Sequence, residues 1–143
     1  MPSAIDRDSD EALIVRAVLR LARRLRIEAP SGALGGGALG LLNTLHRAGP
    51  MPAVDLAEAE GLAPQSLSRL LARLDERGMI ARTADSDDRR HKIITLTALG
   101  RQALGQAMRE RRAWIAAALA ERLDDDERAT LIKAATLMLR LVI

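Results

Sequence analysis

Leu13, Ala17, Leu21 and Leu25 recur at every fourth position, with Ile14 and Val18 beside them. Arg16, Arg20, Arg23, Arg24 and Arg26 fall mostly on the other side. This period predicts an amphipathic helix, capped by Ser9 or Asp10 and ending near Pro30-Ser31-Gly32. The following run from Gly32 to Gly40 is glycine-rich. Glycine costs about 1 kcal/mol per helix position relative to alanine, so the run predicts a loop or a weak helix start. A helix is expected to be established only by Leu41-Leu42-Asn43-Thr44-Leu45-His46-Arg47, and Ala48-Gly49-Pro50 stops it.

Pro52 to Glu60 predicts a short helix with Val54, Leu56 and Ala57 inward, closed by Gly61. Pro64 then suits the first position of a new helix, which runs to Arg77 and ends at Gly78. Its apolar stripe is Leu67, Leu70, Leu71 and Leu74. Two helices joined by a tight turn containing glycine form a helix-turn-helix. Met79-Ile80-Ala81-Arg82-Thr83 reads as a strand. A charged turn follows, Asp85-Ser86-Asp87-Asp88-Arg89-Arg90-His91-Lys92, and then a second strand, Ile93-Ile94-Thr95-Leu96. Two short strands with a charged tip after a helix-turn-helix make a winged helix.

Thr97 is placed to cap a long helix reaching about Arg122, with Leu104, Met108, Ile115 and Leu119 on its inner face. Asp124 and Glu127 have the spacing of a capping box at the start of a last helix. The apolar stripe of that helix is Leu131, Ala135, Met138, Leu139 and Val142. A chain ending Leu139-Arg140-Leu141-Val142-Ile143 would expose a large apolar patch, so these residues are expected to pack on a second subunit.

At 143 residues, 48% of them hydrophobic, the chain suits one domain with a substantial core. It has one Trp and neither Phe nor Tyr, so that core is aliphatic and the helix formers Ala and Leu dominate. The expected architecture is mainly α with a small β-hairpin wing, an α+β winged helix-turn-helix. Residues about 1–30 and 98–143 are expected to flank, as helices, a winged helix-turn-helix lobe at about 31–97 within a single domain. The net charge is only +3. Only Lys92 and Lys133 are lysines among 22 basic residues, so the position of the arginines matters more than their sum. The absence of cysteine excludes disulfides, thiolate metal sites and thiol redox sensing. No apolar run approaches a membrane span and the N-terminus lacks an apolar signal core, so a cytoplasmic protein is expected.

Gln65, Ser66, Ser68, Arg69 and Arg73 lie away from the leucine stripe of the second helix. Arg recognises guanine, Gln recognises adenine, and Ser bonds a base edge or phosphate. The same set also fits an ordinary solvated face; the basic hairpin that follows favours DNA. In the hairpin, an arginine suits a narrow minor groove. The aspartates would repel phosphate and are better suited to turning the tip and bracing an arginine.

The run Asp88 to Thr97 fits the pattern Asp-x-Arg-x5-Leu-Thr and so resembles the wing of the MarR (multiple antibiotic resistance regulator) family, with Asp85 and Gly100 also fitting. Pro64-Gln65-Ser66-Leu67-Ser68-Arg69 is similar to that family's recognition helix, and Leu74 to Arg82 to its helix-to-wing junction. The resemblance extends over nearly the whole chain. It implies a homodimeric winged-helix regulator, most often a ligand-responsive repressor, on a pseudo-palindromic double-stranded operator. It also implies Arg90 as the minor-groove residue, with Arg89, His91 and Lys92 beside it and Asp88 orienting the wing. Gln65, Ser66, Ser68, Arg69 and Arg73 become the major-groove set. The first and last two helices become the dimer surface, through Leu13, Leu21, Leu131, Leu139 and Val142.

Two departures stand out. Gly35 to Gly40 replaces a capped helix start and is expected to be loose or late. Ala63 replaces the usual Ser or Thr before Pro64. For a small organic effector, His46 and Trp114 are the candidate pocket residues, although a capped or surface position suits His46 better and a packed dimer region suits Trp114 better. With two histidines in different elements, no metal set is expected, and no cofactor. No nucleophile–base pair or phosphate loop points to an enzyme. The remaining alternative is a winged-helix architectural or interaction module without operator specificity.

Overall fold

The computed structural model describes residues 9–28, 34–84, 87 and 92–142. Nine elements and a terminal turn follow in order: α1 (Asp10–Glu28), α2 (Gly36–Ala48), β1 (Met51–Pro52), α3 (Ala53–Glu60), α4 (Pro64–Glu76), β2 (Ile80–Ala84), β3 (Lys92–Leu96), α5 (Ala98–Arg122), α6 (Asp125–Leu139) and a single 3₁₀ turn (Arg140–Val142).

The expected termini hold where local chemistry decides them. Ser9 rather than Asp10 caps α1, accepting from the Ala12 N–H at 3.2 Å. Thr97 caps α5 through the Gly100 N–H at 3.0 Å. At α6 the Asp124 carboxylate accepts from the Glu127 N–H at 2.8 Å, and Glu127 accepts from the Asp124 N–H at 2.9 Å. α3 closes with Gly61 in the left-handed region at φ +61°. α4 begins at Pro64 with Ala63 as an N-cap that makes no side-chain hydrogen bond. Ala63→Ser is therefore expected to raise stability by about 1 kcal/mol, read as an upward shift in a thermal melt.

Three details differ from the sequence expectation. α2 starts at Gly36, a full turn before Leu41. Its buried residues Ala38, Leu41, Leu42 and Leu45 lie against the core, and that burial outweighs the weak propensity of the glycines. The Thr44 hydroxyl donates to the Glu60 carboxylate and so ties the end of α3 to α2. A Cβ at Gly40 would stand 2.9 Å from that carboxylate, the end of a flexible side chain. Val54 is exposed rather than inward (74%), whereas Leu56 is fully buried. Two residues apart on a helix is a rotation of about 200°, so both cannot face the core.

The third difference is β1. The sheet has the order β1-β3-β2, antiparallel throughout. Met51 pairs with Ile94 and Pro52 with Ile93. A two-residue strand carries no periodicity to recognise, and proline is tolerated because the strand lies at an edge. In the hairpin Ile80 opposes Leu96, and the register runs to Ala84 opposite Lys92. The core joins Leu41 and Leu42 of α2, Leu56 of α3, Leu67, Leu71 and Leu74 of α4, Ile80 and Ile94 of the sheet, and Leu104 and Ala107 of α5. α4 is thereby held by one face against the rest of the lobe. No described helix is long and apolar enough to cross a membrane.

Candidate nucleic-acid interface

The leucines of α4 alternate with its polar residues at helical spacing, so burying one set exposes the other. Leu67, Leu71 and Leu74 are buried, while Gln65, Ser66, Ser68, Arg69 and Arg73 are all exposed. All five predicted α4 residues therefore lie on its outward side. Arg69 and Arg73 stand one turn apart, and among the described residues neither makes an ion pair. Ser66, Arg69 and Arg73 also border a groove of about 260 Å³ with Gly37 and Leu62. At the start of α4 the first N–H groups have no side-chain cap, and such a helix end favours a phosphate oxygen.

The strands β2 and β3 carry the chain away from the end of α4. Lys92 is exposed at the tip end of β3, opposite Ala84. Asp88, Arg89, Arg90 and His91, expected to orient the wing and to touch DNA, lie outside the described residues. At the base of the wing, the Arg82 Nε lies 3.6 Å from the Asp75 Oδ2. This pair links α4 to β2. Both partners are partly exposed, so it contributes little stability, but it connects the recognition helix to the wing strand. Sequence reasoning did not identify the pair; their separation by seven positions across a helix end and a turn gives no helical or strand period to recognise.

Thr97 does more than cap. Its hydroxyl donates to the Gly78 carbonyl at 2.6 Å while accepting from the Gly100 N–H. Its own N–H donates to the Met79 carbonyl at 3.1 Å. The corner between α4 and β2 is thus tied to the first turn of α5.

The other face of the molecule is apolar. In the single chain, Leu13 is 54% exposed, Leu21 45%, Leu131 43%, Leu139 66% and Val142 79%. Neither α1 nor α6 contains a buried residue. Between α1, α5 and α6 runs a groove of about 600 Å³, whose lining includes Leu21, Trp114, Leu119, Leu131, Met138 and Leu139. Trp114 lies in this groove, whereas His46 is exposed near the end of α2 and does not line it. Among the described residues no three His, Asp or Glu side chains form a metal-binding group.

The comparisons with known proteins agree with this geometry. The MarR family model matches residues 38–92, which span α2 to the start of β3. An HTH-type transcriptional regulator of Mycobacterium tuberculosis is 36% identical over 138 residues, covering 94% of this chain and 96% of the relative. Wild-type MarR from E. coli in its apo form superposes with a TM-score of 0.83 at 22% identity, over 92% of this chain and 96% of that one. A mutant E. coli MarR crystallised with operator DNA gives a TM-score of 0.69 at 22% identity, over 90% and 92%. The exposed recognition helix, the wing strands packed behind it and a relative matched over almost its whole length identify this chain as a member of the MarR family of winged helix-turn-helix, DNA-binding transcriptional regulators, which are not enzymes.

Proposed function

We propose that the protein works as a homodimer on a pseudo-palindromic operator in the cytoplasm, most often as a repressor released by a small organic effector. The observation that carries this reading is the outward row Gln65, Ser66, Ser68, Arg69 and Arg73 on a helix whose opposite face is buried in the lobe core. A helix fixed in this way can enter a major groove without losing its own packing. Residues about 31–97 form the reading lobe, while α1, α5 and α6 form the dimer surface. Arg90, flanked by Arg89, His91 and Lys92 and braced by Asp88, supplies the minor-groove contact. The superposition on an operator-bound MarR supports the fold needed for this arrangement.

In a two-fold dimer the recognition helices should sit roughly 34–36 Å apart, one turn of DNA. With some 6–10 phosphates neutralised, affinity should fall about 10³–10⁵-fold between 50 and 200 mM salt. The test is fluorescence anisotropy with a labelled duplex that the protein selects from a random-sequence pool. Arg69→Ala and Arg90→Ala should each weaken binding by about 1–3 kcal/mol without changing the dimer. Equal competition by unselected duplexes would instead indicate an architectural module. A small organic effector is the expected release signal. It should raise the melting temperature and lower operator affinity together.

A further inference from the structure

We propose that Thr97 is a positioning residue for DNA recognition. By clamping the α4–β2 corner onto the first turn of α5, it sets the angle between the recognition helix and the helix that leads to the dimer face. This inference rests on the DNA-reading role of α4 described above.

The observation is a set of short contacts at one corner. The Thr97 hydroxyl has one proton and gives it to the Gly78 carbonyl at 2.6 Å. The same oxygen accepts from the Gly100 N–H at 3.0 Å. The Thr97 N–H reaches the Met79 carbonyl at 3.1 Å. One turn into α5, the Arg101 guanidinium donates to the Leu96 carbonyl at 3.2 Å, closing the corner from the strand side. On the other side, Gly78 turns the chain at φ +68°, and its N–H donates to the Asp75 carbonyl at 2.9 Å. The end of α4, the start of the wing and the N-cap of α5 are therefore joined at one corner by backbone carbonyls and N–H groups, the Thr97 hydroxyl and the Arg101 guanidinium.

An N-cap needs only an acceptor. The contact to Gly78 needs a donor as well, and it lies on the partly exposed side of the corner, where water can replace it. It therefore contributes little to global stability, since a net hydrogen bond is worth about 1 kcal/mol. Its geometric effect is larger. Two helices hinged at a corner swing through arcs that grow with distance, and a small rotation at Thr97 is magnified along the thirteen residues of α4. Base recognition tolerates little displacement, because bidentate contacts require fixed donor and acceptor positions.

Three substitutions separate capping from clamping. Thr97→Ser keeps both the donor and the acceptor. Thr97→Asp keeps the acceptor, and so the cap, but cannot donate to Gly78. Thr97→Val loses both. The native chain has no cysteine, so Gln65→Cys with Arg112→Cys places one spin label on α4 and one on α5. Labelled chains diluted with unlabelled ones report the distance within one protomer, whether or not DNA is bound.

The expected result is a narrow distance distribution for the parent and for Thr97→Ser. Thr97→Asp and Thr97→Val should give broadened or shifted distributions, with Thr97→Asp keeping the parent melting temperature more closely than Thr97→Val. In chains without labels, Thr97→Asp should bind the selected duplex roughly tenfold more weakly, the scale of one lost base contact. It should also lose part of the discrimination against duplexes with one base pair inserted between half-sites. Thr97→Ser should restore both. An unchanged distance distribution in Thr97→Asp and Thr97→Val would overturn the proposal, whatever the DNA result. A broadened distribution in a protein that selects no duplex would instead count against the DNA-reading role alone.

Discussion

Among the described glycines, Gly100 is the one whose replacement by alanine should cost the most stability. A Cβ at Gly100 would stand 2.0 Å from the Met79 carbonyl oxygen, 3.0 Å from its carbonyl carbon and 2.8 Å from the Leu96 Cδ1. Real contacts do not approach so closely, and two of the three atoms are backbone, so no side-chain rotation relieves the clash. The first turn of α5 would have to lift off the α4–β2 corner, and lifting it breaks the Thr97 bonds to Gly78 and Met79. Overpacking a tight site typically costs about 1–3 kcal/mol. With the lost hydrogen bonds, each worth about 1 kcal/mol, the total should reach about 3–5 kcal/mol. For a domain of this size that is roughly a 10–20 °C fall in melting temperature, measured by circular dichroism at fixed protein concentration. The control is Gly105→Ala in the same helix. A Cβ at Gly105 meets only the Arg109 Nη1, at 3.5 Å, and removing a mid-helix glycine should stabilise by about 1 kcal/mol. Equal effects from the two substitutions would refute the docking of α5 on Met79.

The second large effect concerns assembly. Leu131 and Met138 lie two turns apart on α6 and both line the apolar groove with Leu21 and Trp114. Replacing both with aspartate should leave the lobe core intact, since neither residue belongs to it. In a dimer the same change buries two uncompensated carboxylates per protomer, which breaks the contact. The variant should run as a monomer by light scattering, and operator affinity should drop by about 10³-fold or more, toward non-specific binding. Removing residues 139–143, which carry exposed Leu139, Leu141 and Val142, should likewise yield monomers or aggregates. A stable dimer from both variants would place the interface elsewhere.

Much of the lobe was legible before any coordinates, because it is written in local chemistry. Pro64 and Gly61 bracket the turn between α3 and α4. The leucine period of α4 separates a buried stripe from the polar row Gln65 to Arg73. Asp124 with Glu127, and Thr97 before Gly100, are caps that depend on neighbours three residues away. What escaped was non-local. The glycine run from Gly35 to Gly40 read as a loose start, yet α2 begins at Gly36 because its leucines are held by elements distant in sequence. Val54 read as inward with Leu56, but the packing of α3 chose the Leu56 face. Glu60 on Thr44, Arg82 on Asp75 and the second bond of Thr97 join residues that no helical or strand period relates.

The sequence by itself determined the order of the helices and of the two wing strands, and the polarity of α4, because caps, turns and hydrophobic period act over a few residues; it did not reveal β1. Only the tertiary structure decided how the recognition helix is aimed. That depends on a glycine with no Cβ, a carbonyl 2.0 Å from where one would stand, and a threonine bridging two elements. These contacts exist only after α4, the wing and α5 have met, since packing rather than propensity brings their backbones together.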